Sequence, residues 1–167
     1  MANTHELIEA KTLTTDTTTI TFSSIPQTYT DLRLLISARN NDVDAFDGFY
    51  MSLNGSTANF TGRFLQGLGS GTPSSGSIAR YIGVGPGAAS TSKTFSNFDV
   101  YFPNYASSNF KSFSSDAVSE NNGTLSFTEF HAGLWSNTAA ITSISVAFSS
   151  GPCITNSTFY LYGIKNS

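Results

Sequence analysis

The chain has 167 residues, of which 11% are charged, with one cysteine and a formal net charge of −3. Eight Lys+Arg against eleven Asp+Glu argue against a phosphate-neutralising nucleic-acid surface, and one cysteine excludes an intrachain disulfide framework. With 39% hydrophobic and 13% aromatic residues, the chain has enough apolar surface for one folded domain, residues 1–167, instead of a disordered segment.

Residues 1–10 carry His5, Glu6 and Glu9 without a basic region or an apolar run, so they do not read as a secretory signal. No stretch approaches the roughly 18–20 apolar residues that span a bilayer. The expectation is a soluble protein with no membrane partner.

Strand signals then follow one another down the chain. Residues 18–22 (TTITF) and 31–37 (DLRLLIS) are β-branched and apolar, with a proline-centred turn at 23–28 between them. Further strands are predicted over 48–53, 60–65, 78–84, 94–102, 110–118, 125–135, 140–148 and 157–164. Several alternate with period two: Phe98, Val100 and Phe102 oppose Asn97, Asp99 and Tyr101. Likewise Ile144, Val146 and Phe148 oppose Ser143 and Ser145, and Phe159, Leu161 and Gly163 oppose Tyr160, Tyr162 and Ile164. A sheet that covers a core on one side requires this pattern. No helical stripe persists for three turns. The fold class is therefore all-β, an antiparallel β-sandwich or jelly roll of about 8–10 strands.

Loops are expected where polar and small residues cluster: 40–47 (polar and acidic), 66–77, 83–92, and a tight turn at 120–123. The glycine series 67–71 and 83–87 superficially look like phosphate-binding loops. Both lack a following helix, so they read as hairpin connections.

Catalytic groups are scarce. His5 and His131 are the histidines and Cys153 is the cysteine. A Cys153–His131 pair is conceivable, but a nucleophile also needs a third orienting group. No nucleophile-elbow G-x-S-x-G string occurs, and no carboxylate pair for glycoside cleavage can be singled out. The reading is a non-enzyme with no catalytic, cofactor or metal residues and no cofactor. The nearest approach to a ligand site is Asp42, Asp44 and Asp47 before Gly48. Their spacing departs from a calcium loop and no closing glutamate follows, so a solvated loop is preferred. Four N-x-[ST] matches, at Asn54, Asn59, Asn122 and Asn156, are about what so Ser/Thr-rich a sequence produces by chance. Trp135 with Tyr50, Tyr81, Tyr101 and Tyr105 could stack sugars, although packing is the commoner use of such residues.

Three groups of stretches carry a resemblance. They are Ser24-Ile25-Pro26-Gln27-Thr28-Tyr29-Thr30-Asp31-Leu32; Pro103-Asn104-Tyr105 with Lys111-Ser112-Phe113 and Ser119-Glu120-Asn121-Asn122; and Ala132-Gly133-Leu134-Trp135-Ser136 with residues 139–144. With the closing 157–164, the chain from about Glu6 to Lys165 resembles a group of tailed-bacteriophage virion proteins, common in aquatic and cyanobacterial phages. Members stand alone or form modules of tail fibres. The motifs are structural, and no active-site residue comes with them.

The resemblance implies a virion protein assembled in the host cytoplasm. Foremost is a capsid decoration or cement protein that binds the major capsid protein and stabilises the shell, as a homo-oligomer with a trimer favoured. A chain that begins at Met1 and ends without extension suits a free-standing protein of this kind. The alternative is a tail-fibre or baseplate jelly roll that binds host glycans through loops such as 66–77. A third reading, a glycan hydrolase, would need two carboxylates facing across a cleft. Seven of the eleven acids lie in residues 1–47, which suggests a distinct polar surface at that end.

Overall fold

The computed structural model describes residues 4–69 and 72–165. Those residues form twelve strands and no helix. In chain order they are β1 (His5–Thr12), β2 (Ile20–Phe22), β3 (Asp31–Ala38), β4 (Phe46–Leu53), β5 (Phe60–Gly67), β6 (Ser74–Gly76), β7 (Tyr81–Pro86), β8 (Ser96–Phe102), β9 (Lys111–Ser119), β10 (Phe127–Trp135), β11 (Ile144–Phe148) and β12 (Thr158–Ile164). All ten predicted strands are present.

Two antiparallel sheets pack face to face. One runs β1-β12-β3-β8-β9-β10-β5-β6 and the other β2-β11-β4-β7. Taken without β5, β6, β9 and β10, the eight remaining strands alternate between the layers as β1-β12-β3-β8 over β2-β11-β4-β7. That interleaving is a jelly roll. The other four strands are added to its open edge and lengthen one sheet only.

The alternating apolar residues point between the layers. Phe98, Val100 and Phe102 from β8, Ile144 and Val146 from β11, and Phe159 and Leu161 from β12 are all buried. The Phe49 ring bridges the layers, with centroids 5.0 Å from Phe98 and 4.4 Å from Phe148. Such aromatic pairs add specific geometry to the burial of apolar area.

Three expected loops are shorter than predicted. β4 already begins at Phe46, inside the segment read as an acidic loop. β5 runs on to Gly67, and β6 lies inside the Ser/Gly-rich stretch read as a hairpin connection. The series 83–87 is mostly strand β7, not a connection. Its glycine content has a packing cause. At Gly83 φ is +143°, and an added Cβ would stand 2.4 Å from Ala117 Cβ. Only glycine lets β7 approach β9 so closely.

Because the second sheet ends at β7, that strand exposes backbone groups on its outer edge. The lengthened sheet supplies partners for them: Ser115 Oγ donates to Ile82 O at 2.7 Å, and Val84 N–H donates to Glu129 Oε2 at 2.8 Å. Two buried polar side chains thereby close an edge that would otherwise invite pairing with another chain.

Candidate interaction surface

Inward from β7 lies a polar node. The Glu129 carboxylate, fully buried, accepts hydrogen bonds from Gln66 Nε2 at 2.6 Å, Tyr81 Oη at 3.2 Å and Val84 N–H. Burial and the Glu129 charge together push the Tyr81 hydroxyl far above its ordinary range. His131 stacks edge-on against Tyr81 with centroids 4.7 Å apart. Its Nε2 stands 3.8 Å from Glu129 Oε2, too far for a hydrogen bond, and has no other partner among the described residues. The node lies in the interior and joins β5, β7 and β10.

His131 is therefore brought together with Glu129, Tyr81 and Phe64. Cys153 belongs elsewhere, bridging Thr17 and Asn40 through its backbone. Its thiol is buried, and burial pushes it up to about 12, which keeps it protonated. His5 is exposed at the start of β1.

The acidic segment is tied down by hydrogen bonds. Asp47 accepts from Asn40 Nδ2 at 2.9 Å, from Ser150 N–H at 2.8 Å and from Ser149 Oγ. The carbonyls of Asp42 and Asp44 accept from Ala88 and Ala89. Among the described residues no three His, Cys, Asp or Glu side chains converge in a way that would hold a metal ion. The N-terminal acids are also dispersed. Glu6 pairs with Lys165, Glu9 with Lys11, and Asp31 is buried beneath Tyr101 and the Asn104 amide.

The aromatic platform is not assembled. Trp135, Tyr81 and Tyr105 are buried, and Trp135 is only 1% exposed. Tyr50 and Tyr101 are half-buried on the outward faces of different sheets. All four N-x-[ST] asparagines have positive φ, between 51° and 69°, the left-handed conformation that asparagine tolerates in turns. Asn54 shows what the residue does there. Its Nδ2 donates to Ala140 O at 2.8 Å, while its Oδ1 accepts from Thr142 N–H and Ser143 N–H at 2.8 and 3.1 Å. Of the glycine series 67–71, Ser70 and Gly71 lie outside the described residues.

The outward face of the eight-stranded sheet is the most distinctive surface. Following the register across strands, Tyr160, Leu35, Asp99, Asp116, Phe130 and Leu65 stand in one row. Phe130 and Leu65 are direct cross-strand partners, 56% and 52% exposed. Val118 is exposed one row away. Serine and threonine fill much of the rest: Ser37, Ser112, Ser114, Thr128 and Thr158. Asp99 and Asp116 face each other directly, a repulsive placement. Arg33 relieves it by donating Nε to both Asp99 oxygens at 2.9 and 3.1 Å, with Nη2 adding a third contact. That carboxylate raises the Arg33 pKa.

Alternation along β10 gave no warning of this arrangement. Its apolar Phe130 and Leu134 face outward, while Glu129 and His131 face inward. The readable signal was the conflict itself: a charged and a titratable residue share a phase with Trp135.

No family model, curated protein or solved structure matches the chain.

Proposed function

We propose that the protein is a structural part of a tailed-phage virion, a capsid decoration protein that binds assembled shell as a homo-oligomer. The observation that carries this reading is the Phe130–Leu65 pair. Two large apolar side chains meet on the outward face of a sheet that also carries Ser37, Ser112, Ser114, Thr128 and Thr158. Contiguous exposed apolar groups mark contact surfaces. The hydroxyls around the pair can be covered by a neighbour at little cost, whereas Asp116, directly opposite Phe130, calls for a cationic group on that neighbour. The major capsid protein is the proposed occupant of that face. Binding only to assembled shell stabilises it by mass action and needs no chemistry.

The experiment is reconstitution. Purified protein is added to particles assembled without it, and retention and the temperature of particle disruption are measured. Saturable binding with a raised disruption temperature is expected, and Phe130→Asp abolishes both. Failure of the wild-type protein to bind such particles overturns the reading. The alternative, a tail-fibre or baseplate module that binds host glycans, is favoured by one observation of its own, an open groove on the other sheet.

A further inference from the structure

The outward face of the four-stranded sheet carries a groove of about 450 Å³, within the size range of small-ligand sites. Its floor is β4 beside β11, where Tyr50 is paired with Ala147 and Ser52 with Ser145. Ala147 is small, and Gly48 has no side chain: an added Cβ there would meet the Tyr50 ring at 2.9 Å. The ring therefore lies along the sheet as one wall of the groove.

Arg80, the groove's charged lining residue, reaches over the edge of that ring. Its φ is +61°, a conformation that arginine seldom adopts. Two hydrogen bonds to Met51 hold it there: Arg80 Nη1 donates to Met51 O at 2.9 Å, and Met51 N–H donates to Arg80 O at 3.0 Å. The guanidinium carbon sits 5.8 Å from the Tyr50 ring centroid. Nε and Nη2 are left as donors. Thr19, Ser52 and Thr57 bring hydroxyls to the same groove, and Ser145 Oγ is paired with Thr21 Oγ1 at 2.9 Å. Asp47, on the same strand as Tyr50, already accepts from Asn40, Ser149 and Ser150.

We propose that this groove binds an acidic saccharide, a pyranose bearing a carboxylate. An aromatic wall suits the apolar face of a sugar ring, a ring of hydroxyls suits its hydroxyl groups, and a pre-oriented guanidinium suits a carboxylate through paired N–H donors. A buried aliphatic ligand would have no use for the cation. A bare anion would have no use for Tyr50. The site deepens the glycan-binding alternative above and stands apart from docking on the shell. Its test uses the isolated protein and no particles, so either proposal can fail without the other.

The test is an NMR titration with trigalacturonate, maltotriose and sodium acetate in parallel. Trigalacturonate shifts the amides of Ser52, Thr57, Arg80 and Ala147 saturably, with a dissociation constant of about 1 mM. Maltotriose binds at least about tenfold more weakly, the discrimination expected of one charge-assisted contact. Arg80→Asn, which tolerates the same φ, removes that preference. Tyr50→Ala weakens both sugars and leaves the spectrum otherwise folded. The proposal is overturned if trigalacturonate causes no saturable shift, if maltotriose or the Arg80→Asn variant does as well, or if acetate alone reproduces the shifts.

Discussion

Val84 donates its backbone N–H to Glu129 Oε2 at 2.8 Å, across the gap between the two sheets. The bond exists because β7 is the last strand of the shorter sheet and its outer edge faces the longer one. A buried carboxylate is tolerated only where donors surround it, and here Gln66 and Tyr81 supply two more. Glu129→Ala strands all three donors and is expected to cost at least about 3 kcal/mol, counting about 1–3 for each unmet group. Glu129→Gln presents an amide to these donors and should cost about 1–3 kcal/mol. Urea unfolding measures both, with the outward-facing Thr128→Ala as a control within about 0.5 kcal/mol of wild type.

Arg39 solves a different problem. It is 6% exposed and pairs with no carboxylate among the described residues. Its Nη1 donates to Thr91 O at 2.7 Å and Thr94 O at 3.2 Å, and its Nη2 to Gly87 O at 2.6 Å and Ser90 O at 3.0 Å. One guanidinium thus organises the whole connection between β7 and β8. A lysine ammonium is a compact point donor and cannot span these carbonyls. Arg39→Lys is expected to lose about 3 kcal/mol, which lowers the melting temperature by roughly 6–12 °C for a chain of this size. Calorimetry checks it. A shift of less than about 2 °C would show that the carbonyls are satisfied without the fork.

The strand alternation that exposed the sandwich also marks where the pattern stops carrying information. β8, β11 and β12 show their inward residues directly because each is flanked on both sides and faces one core. β1 was missed: Glu6, Glu9 and Lys11 interrupt its apolar residues, and a register shift between Leu7 and Glu9 breaks the period. Such charges and bulges are usual on an edge strand. β6 has three residues, Ser-Ser-Gly, and no pattern to read. Only the second half of β7 reads as a loop, because Gly83 answers to Ala117 and Phe98, residues far away in the chain. The groove was half legible. Tyr50 stood out as an aromatic, whereas Arg80 depends on a turn conformation that no spacing announces.

β1 is held at one end by Glu6, which pairs with Lys165 at 2.9 Å and accepts from Tyr29 Oη at 3.1 Å. Lys165, then Tyr29, hold the Glu6 carboxyl below its ordinary value of 4.5, and Glu6 holds Lys165 above its ordinary 10.5. The depressed acid stabilises the folded state above pH 4.5 and loses that contribution as pH falls through its folded value. The raised base stabilises below pH 10.5 and loses its contribution as pH rises through its own folded value. Amide exchange in β1, corrected for the intrinsic pH dependence, should therefore speed up as pH falls from 4.5 through the depressed folded value, before the core strands respond. Glu6→Gln should remove that acid-side step, and a step that persists in the variant assigns it to another group.

Phe130 and Trp135 belong to the same strand, five residues apart and on opposite faces, and they should respond oppositely to substitution. Trp135 is buried and stacked on Phe60 with centroids 6.0 Å apart. Its replacement by alanine opens a cavity, with an expected loss of about 3–5 kcal/mol. Phe130 is more than half exposed, so Phe130→Ser removes little buried area and should change stability by less than about 1 kcal/mol. What it removes is half of the outward apolar pair with Leu65. Sedimentation and particle-binding assays on this stable variant then read the surface alone. Normal stability with lost association is the outcome expected of a contact residue. A large loss of stability would instead place Phe130 in the fold's own packing and take the pair away from the docking surface.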